Sequence, residues 1–185
     1  VTTPRRTRVR RGSVLALLVA DVLAAPAPVL ALVALVCAVA HGIRLALWDS
    51  RRTLATPLVW ILHAAYAWIV IHLVLRALAA LGWVADALAV HAWTVGAIGA
   101  LTLGMMTRTA RGHSARPLVA DRAEVACYAL VLLAAAVRVF GPLLAPGEYL
   151  ASIAVSGVLW SAAFALYFVR YWPILTRPRL DGRPG

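Results

Sequence analysis

The stretch APVLALVALVCAVAHGIRLAL, residues 27–47, predicts a membrane-spanning helix. It is an apolar run of about twenty residues, the length that an α-helix needs to cross a hydrocarbon layer of ~30 Å. Four further runs of this kind follow, and we predict their spans at residues 54–81, 85–106, 122–144 and 149–172. Repeated apolar runs of this length predict an all-α fold, a polytopic transmembrane helix bundle with five full spans.

The N-terminal part of the chain allows two interpretations. A basic segment, residues 5–11, precedes a shorter apolar stretch at residues 13–25, as in a signal peptide. Asp21 interrupts that stretch, however, and the next apolar run follows directly, so we predict a short or truncated N-terminal span instead. The predicted organisation is a basic cytoplasmic N-terminus (1–12), one transmembrane helical domain (13–172) and a flexible cytoplasmic tail (173–185).

The overall composition agrees with a lipid environment. Apolar residues make up 63% of the chain and charged residues 14%, against about a quarter charged in an average soluble domain. The net charge of +11 comes from arginines that border the apolar runs, where they meet lipid phosphates and not nucleic acid. Cys37 and Cys127 lie inside apolar runs, so they predict helix packing and not a disulfide framework.

The arginines also predict how the helices are oriented, because cytoplasmic loops of membrane proteins retain positive charge. The arginines lie in three places along the chain. Arg44, Arg51 and Arg52 are at or after the end of the span at 27–47. Arg108, Arg111 and Arg116 lie in the connection before the span at 122–144, which Arg122 begins, and Arg170, Arg177, Arg179 and Arg183 lie at or after the end of the last span. The two other connections carry Asp86 and Glu148 but no arginine. An even number of crossings then places both termini in the cytoplasm.

Histidines inside the spans are the candidate functional residues, because polar side chains within a bilayer are costly. Cys37, His41, Arg44 and Trp48 are spaced i, i+4, i+7 and i+11, which places them along one stripe of a helix. The stripe is compatible with a metal or haem ligand at His41 and a propionate partner at Arg44. It is equally compatible with a polar seam that hydrogen-bonds to a neighbouring helix.

The other membrane histidines predict two levels in the bilayer. His63 lies near the depth of His41, whereas His72 and His91 lie near a common outer level. His63 and His72 are nine residues apart and point about 180° apart, so they cannot share one site. For His72 we favour an interhelical hydrogen bond.

Two features mark the region from residue 91 to residue 118. Ala92, Gly96, Ala100 and Gly104 form a ladder of small residues, which allows a second helix to approach closely or makes room for a flat cofactor. The segment TRTARGHSARPL, residues 107–118, is dense in arginine around His113. It predicts either a solvated cytoplasmic loop or an anion clamp in which His113 is a ligand or proton carrier.

Two motifs carry a family resemblance. WILHAAYAW at residues 60–68 and HAWTVGAIGALTLGMMTRTARGHSARPL at residues 91–118, supported by the H-x-x-R of His41 and Arg44, resemble the signature of the NnrS family. The resemblance implies a multi-pass protein of the bacterial inner membrane that binds haem and copper in the response to nitric oxide.

The resemblance also implies functional residues. His63, His91 and His113 become metal ligands, while His41, Arg44 and Arg108 join them in the cofactor site. The chain resembles only the C-terminal half of the family members, so it is expected to be a fragment, a split protein that needs a missing N-terminal half, or a homodimer.

Other functions remain open. The histidines would also suit a membrane transport or scaffold module with a structural histidine network and no cofactor. A haem-copper oxidase or a four-helix cytochrome b is disfavoured, because no predicted span carries more than one histidine except 54–81, whose two histidines point in opposite directions. No nucleophilic triad and no phosphate-binding loop is present, so no catalytic constellation can be identified.

Overall fold

The computed structural model describes the backbone of residues 4–183 and the side chains of residues 12–183. The helices are α1 (Pro4–Val22), α2 (Ala27–Leu47), α3 (Pro57–Ala80), α4 (Asp86–His113), α5 (Arg122–Leu144) and α6 (Tyr149–Leu175). Short 3₁₀ turns at Ser50–Thr53 and Pro146–Glu148 precede α3 and α6. The described chain contains no strand, and the predicted all-α fold class is confirmed.

Five of the helices, α2 to α6, are long and apolar enough to cross a membrane. The apolar part of α1, Gly12–Val22, is shorter, as expected for a short N-terminal span. The helix itself begins at Pro4, inside the segment predicted to be a basic terminus.

The helices pack in the order of the chain, α1 on α2, α2 on α3 and α3 on α4, while α5 and α6 form a closely packed hairpin. The larger apolar core joins Leu58, Leu103 and Ile174 near the connections rich in arginine. We call this side of the bundle the arginine-rich end. A second core around Trp68 and Val139 lies toward the opposite end.

The ladder of small residues in α4 faces α3. Ala92 and Ala100 are fully buried, and a Cβ on Gly96 would overlap the indole of Trp68. Two ladder positions further on, a Cβ on Gly104 would lie 3.0 Å from Ile61 Cγ2. The predicted close helix approach is therefore confirmed, and the Trp68 indole fills the space that the alternative interpretation gave to a flat cofactor.

The α4 helix differs from its prediction in two ways. A π-helical segment, Ala92–Ile98, interrupts its α-helical hydrogen bonding. The helix also continues to His113 and does not end near residue 106, so Arg108 and His113 lie on a helix and not in a loop. The physical reason is that Arg111, in its last turn, is held by a buried carboxylate on α5.

Candidate functional site

Five side chains of α2, α3 and their connection form one contiguous group near the arginine-rich end, which we call the α2–α3 cluster: His41, Arg44, Trp48, His63 and Tyr66. A hydrogen bond of 2.6 Å joins the Tyr66 hydroxyl and His41 Nδ1, and the two rings stack with centroids 5.6 Å apart. The Arg44 guanidinium carbon lies 4.5 Å from the centroid of the Trp48 ring, a cation–π contact.

Trp48 links the two histidines of this cluster. Its ring centroid lies 5.5 Å from that of His63 and 4.7 Å from that of Tyr66. His41 and His63, which the sequence placed at similar depths, therefore belong to the same cluster, although Trp48 and Tyr66 lie between them.

The hydrogen bonds of His63 determine its tautomer. Thr53 Oγ1 lies 2.7 Å from the Ser50 carbonyl oxygen and 3.1 Å from His63 Nδ1. Because the threonine hydroxyl has one proton and donates it to the carbonyl, its oxygen must accept from Nδ1–H of His63. In the neutral imidazole this tautomer leaves the ring lone pair on Nε2, the nitrogen that could bind a ligand.

A cavity of about 370 Å³ lies beside His63 and is lined by Trp48, Val59, Leu62 and His63. Three of these four residues are apolar or aromatic, as in most small-molecule sites. The buried Nε–H of Arg44 has no hydrogen-bond acceptor among the described residues. The α2–α3 cluster thus contains an imidazole that could bind a ligand, on His63, and an indole ring that lines the cavity, on Trp48. It also contains an Nε–H donor on Arg44 that has no acceptor among the described residues.

The two outer histidines lie in other surroundings. His72 donates its Nδ1–H to the Ala89 carbonyl oxygen over 2.8 Å, which is the interhelical hydrogen bond that we favoured. His91 Nε2 accepts a hydrogen bond of 2.9 Å from Arg138 Nη2 on α5. Both contacts lie toward the end of the bundle opposite the α2–α3 cluster.

His113 and Arg108 lie exposed on the last turns of α4. The backbone carbonyl of His113 accepts a bond of 2.9 Å from Arg179 Nη1, and the Leu180 amide donates to the Ser114 carbonyl. The structure therefore does not bring His63, His91 and His113 together. Within residues 12–183, no three histidine, cysteine or acidic side chains are grouped to hold a metal ion.

Sequence reasoning missed a buried ion pair between α4 and α5. Glu124 is 0% exposed and accepts from Arg111 Nε over 2.7 Å and from Nη2 over 2.9 Å. The Tyr171 hydroxyl on α6 donates to the same carboxylate. The signal that could have found this site is D-x-x-E at residues 121–124, a helix capping box.

Asp121, the N-cap residue of α5, extends this network toward the surface. Burial would raise the pKa of its carboxyl, but hydrogen bonds from the Glu124 amide and from Arg170 lower that pKa below its usual value. Arg170 Nε lies 2.7 Å from Asp121 Oδ2. Asp121 therefore stays ionised at neutral pH and connects α5 to α6.

Two arginines inside predicted spans were also missed. Arg76 near the end of α3 forms an ion pair with Asp21 of α1. Arg138 lies within α5 and bonds to His91. Their signal was simple, because a charged residue within an apolar run is itself a candidate for function.

Comparison with known proteins gives one match. A family model described as NnrS protein matches residues 1–179, which extends the resemblance over α5 and all of α6. No curated protein and no solved structure matches the chain. Since the matched region covers nearly the whole chain, the chain belongs to the NnrS family.

Proposed function

We propose that this protein binds haem at the α2–α3 cluster and acts in the bacterial inner membrane in the response to nitric oxide. The observation that carries the proposal is the placement of His63, which lines an open cavity while its Nδ1 is engaged by the Thr53 hydroxyl, so that Nε2 is the ring nitrogen left for a ligand. Ligating histidines commonly hold their other ring nitrogen in a hydrogen bond of this kind. Membership of the NnrS family is the reason for proposing haem and nitric oxide in particular.

The residues of the cluster fit a haem. His63 would ligate the haem iron, Trp48 would pack against the haem, and the Arg44 guanidinium, which lies over the Trp48 ring, would offset the charge of a propionate. His41 is held by Tyr66 and would support the site from behind the Trp48 ring. A bound haem would supply an iron centre to which nitric oxide can bind.

The residues do not fit a copper site in the way that the resemblance implied. His63, His91 and His113 lie apart, and His91 Nε2 already accepts from a cationic guanidinium. A metal ion beside Arg138 would be repelled, since both carry positive charge. We therefore derive no copper chemistry from this chain.

The optical spectrum of protein purified from haem-replete cells tests the proposal. We expect a Soret band that shifts when nitric oxide is added. His63→Ala should abolish the band, and Thr53→Val should weaken or shift it, because the Nδ1–H of His63 then loses its acceptor. Arg44→Gln should lower haem affinity while leaving the band position unchanged.

The matched control is His72→Ala, which removes a membrane histidine whose Nδ1–H is used by a backbone carbonyl. Its Soret band should equal that of the unaltered protein. Colourless protein, or a His63→Ala spectrum identical to the original, would refute haem binding at this cluster.

A second candidate function is a transport or scaffold module without a cofactor. It is favoured by the hydrogen bonds that His41, His72 and His91 make to neighbouring helices. On this hypothesis the same substitutions would change assembly or transport and leave cofactor content unchanged, so the two candidates are separated by the same set of spectra.

A further inference from the structure

Two cavities at the end opposite the arginine-rich end meet at the same pair of side chains. The outer one, about 390 Å³, lies between the start of α4 and the end of α5, and the second, about 340 Å³, lies between α4, α5 and α6. His91 and Arg138 line both of them. His91 and Arg138 therefore lie where the two cavities meet.

The pair carries an uncompensated positive charge. A guanidinium keeps its proton in proteins, so Arg138 is the donor and His91 Nε2 the acceptor. An imidazole that accepts at Nε2 is neutral. The carboxylates that form ion pairs within residues 12–183 all pair with other arginines, namely Arg52, Arg76, Arg111, Arg170 and Arg179.

The position of Arg138 makes this charge costly. It lies six residues before the end of α5 at Leu144, or about 9 Å along the helix at ~1.5 Å per residue. Charged residues at such depth pair with a counter-charge or with backbone carbonyls, or face a water-filled cavity, and they commonly mark substrate or ion pathways. Asp86 and Glu148 are exposed and line neither cavity, so water screens their charges from Arg138.

The surroundings supply further donors and an apolar wall. His91 uses one of the five N–H groups of Arg138, and Arg138 lines both cavities. Tyr149 lines the outer cavity and Ser161 the second one, and each has a hydroxyl that could donate, while the hydroxyl of Ser156 already donates to the Ala134 carbonyl. Leu88, Val95 and Trp160 complete walls that favour a weakly hydrated ligand over a strongly hydrated one.

From this arrangement we propose that Arg138 binds a monovalent anionic group in the cavities that it shares with His91. The group is either a free small anion, such as a halide or a carboxylate, or the headgroup of an anionic phospholipid, whose phosphate charge no choline ammonium offsets. Its charge would offset that of the guanidinium, and the Tyr149 or Ser161 hydroxyl would donate to it. The site lies apart from the α2–α3 cluster and does not depend on haem.

Iodide tests this inference directly, because it is an anion that quenches tryptophan fluorescence. Trp83 lines the outer cavity and Trp160 the second one, so both report on the site. For the full chain in nanodiscs of phosphatidylcholine, we expect a saturable component of iodide quenching. Neutral acrylamide should show no such component.

Substitutions then test whether the saturable component of iodide quenching depends on Arg138. Arg138→Gln should abolish saturation, whereas Arg138→Lys should retain a weakened site. Arg76→Gln is the matched control, since it removes another arginine near the same end that is paired with Asp21, and saturable quenching should persist. Trp160→Phe should reduce the amplitude of the component without changing the iodide concentration at half-saturation.

The source of the anion follows from competition in the unaltered protein, which also covers the case in which Arg138→Gln fails to fold. Displacement of iodide by formate in phosphatidylcholine identifies a free-anion site. Displacement by added phosphatidylglycerol, with formate ineffective, identifies a headgroup site. Strictly linear iodide quenching in phosphatidylcholine, or saturation unchanged in folded Arg138→Gln, would overturn the proposal.

Discussion

Glu124 shows how single residues join separate helices in this protein. Its carboxylate accepts two hydrogen bonds from Arg111 of α4, one from the Asp121 amide and one from the Tyr171 hydroxyl of α6. Both carboxylate oxygens are thus satisfied, each by Arg111 and by one further donor. A buried charge with partners on three helices fixes the arrangement of those helices, and its loss leaves those partners without a counter-charge.

We expect Glu124→Ala to lower the free energy of unfolding by about 3–5 kcal/mol, because Arg111, only 7% exposed, would remain as an unpaired buried cation. The double variant Arg111→Met with Glu124→Leu should lose much less, since neither charge then remains. Thermal unfolding in detergent measures both.

Arg108→Ala, which removes an exposed arginine one turn earlier in α4, serves as the control and should leave the unfolding temperature nearly unchanged. A double variant as unstable as the sum of Arg111→Met and Glu124→Leu would contradict this account.

The contacts of single side chains were also the features that the sequence predicted least well. His63 could be singled out because a histidine within an apolar run is unusual, but its tautomer depends on Thr53 in a turn before the helix. Arg111 looked like one of many loop arginines, because its partner lies on a different helix. Such pairings depend on how helices meet in space, which periodicity along one helix does not encode.

Among the helices, α4 packs against three others, α3, α5 and α6. Its small residues face α3 and its last turn is tied to α5. The π segment Ala92–Ile98 follows directly after His91 and changes the angular position of everything beyond it. Such segments are frequent at functional sites, and this one contains the first two ladder residues and begins directly after the histidine that contacts Arg138.

Gly96→Ala should destabilise the protein by about 1–3 kcal/mol, because the added Cβ overlaps the Trp68 indole. A smaller residue in place of Trp68 should relieve the clash, so Gly96→Ala with Trp68→Leu should be less destabilised than the two single effects added together. Detergent unfolding curves of the single and double variants measure this coupling.

Gly112→Ala offers a matched control in the same helix, because no heavy atom lies within 4 Å of the position of its added Cβ. That change should leave stability unchanged or raise it by up to ~1 kcal/mol through helix propensity. Equal losses for the two glycine variants would mean that the ladder does not control the contact with α3.

At the scale of the whole molecule, hydropathy predicted the fold because a bilayer leaves few alternatives. Backbone groups in hydrocarbon must bond within their own helix, so long apolar runs can be assigned as spans. Two of the predicted ranges, residues 27–47 and 122–144, agree with α2 and α5. The end of α4 could not be predicted in this way, because hydropathy falls where the arginines begin although the helix continues.

The orientation of the bundle is a prediction at this scale. If the arginine-rich end is cytoplasmic, Gly147→Cys, in the turn before α6, should react with a membrane-impermeant maleimide in intact cells. Gly112→Cys, on the last turns of α4, should react only after the membrane is permeabilised. Both positions are exposed, and the native Cys37 and Cys127 are buried, which should keep the background low.

The reverse labelling pattern would show an inverted bundle and would place the proposed haem site on the outer side. Labelling of both positions in intact cells would instead report leaky cells, which a cytoplasmic marker protein checks in the same sample.

The ion pair between Asp21 and Arg76 has a consequence for biosynthesis. Asp21 leaves the ribosome well before Arg76, and the apolar part of α1 that precedes it, Gly12–Val22, is shorter than a full span. Until α3 has been synthesised, Asp21 has no Arg76 to pair with. We therefore expect α1 to reach its final place only after the third helix has been made.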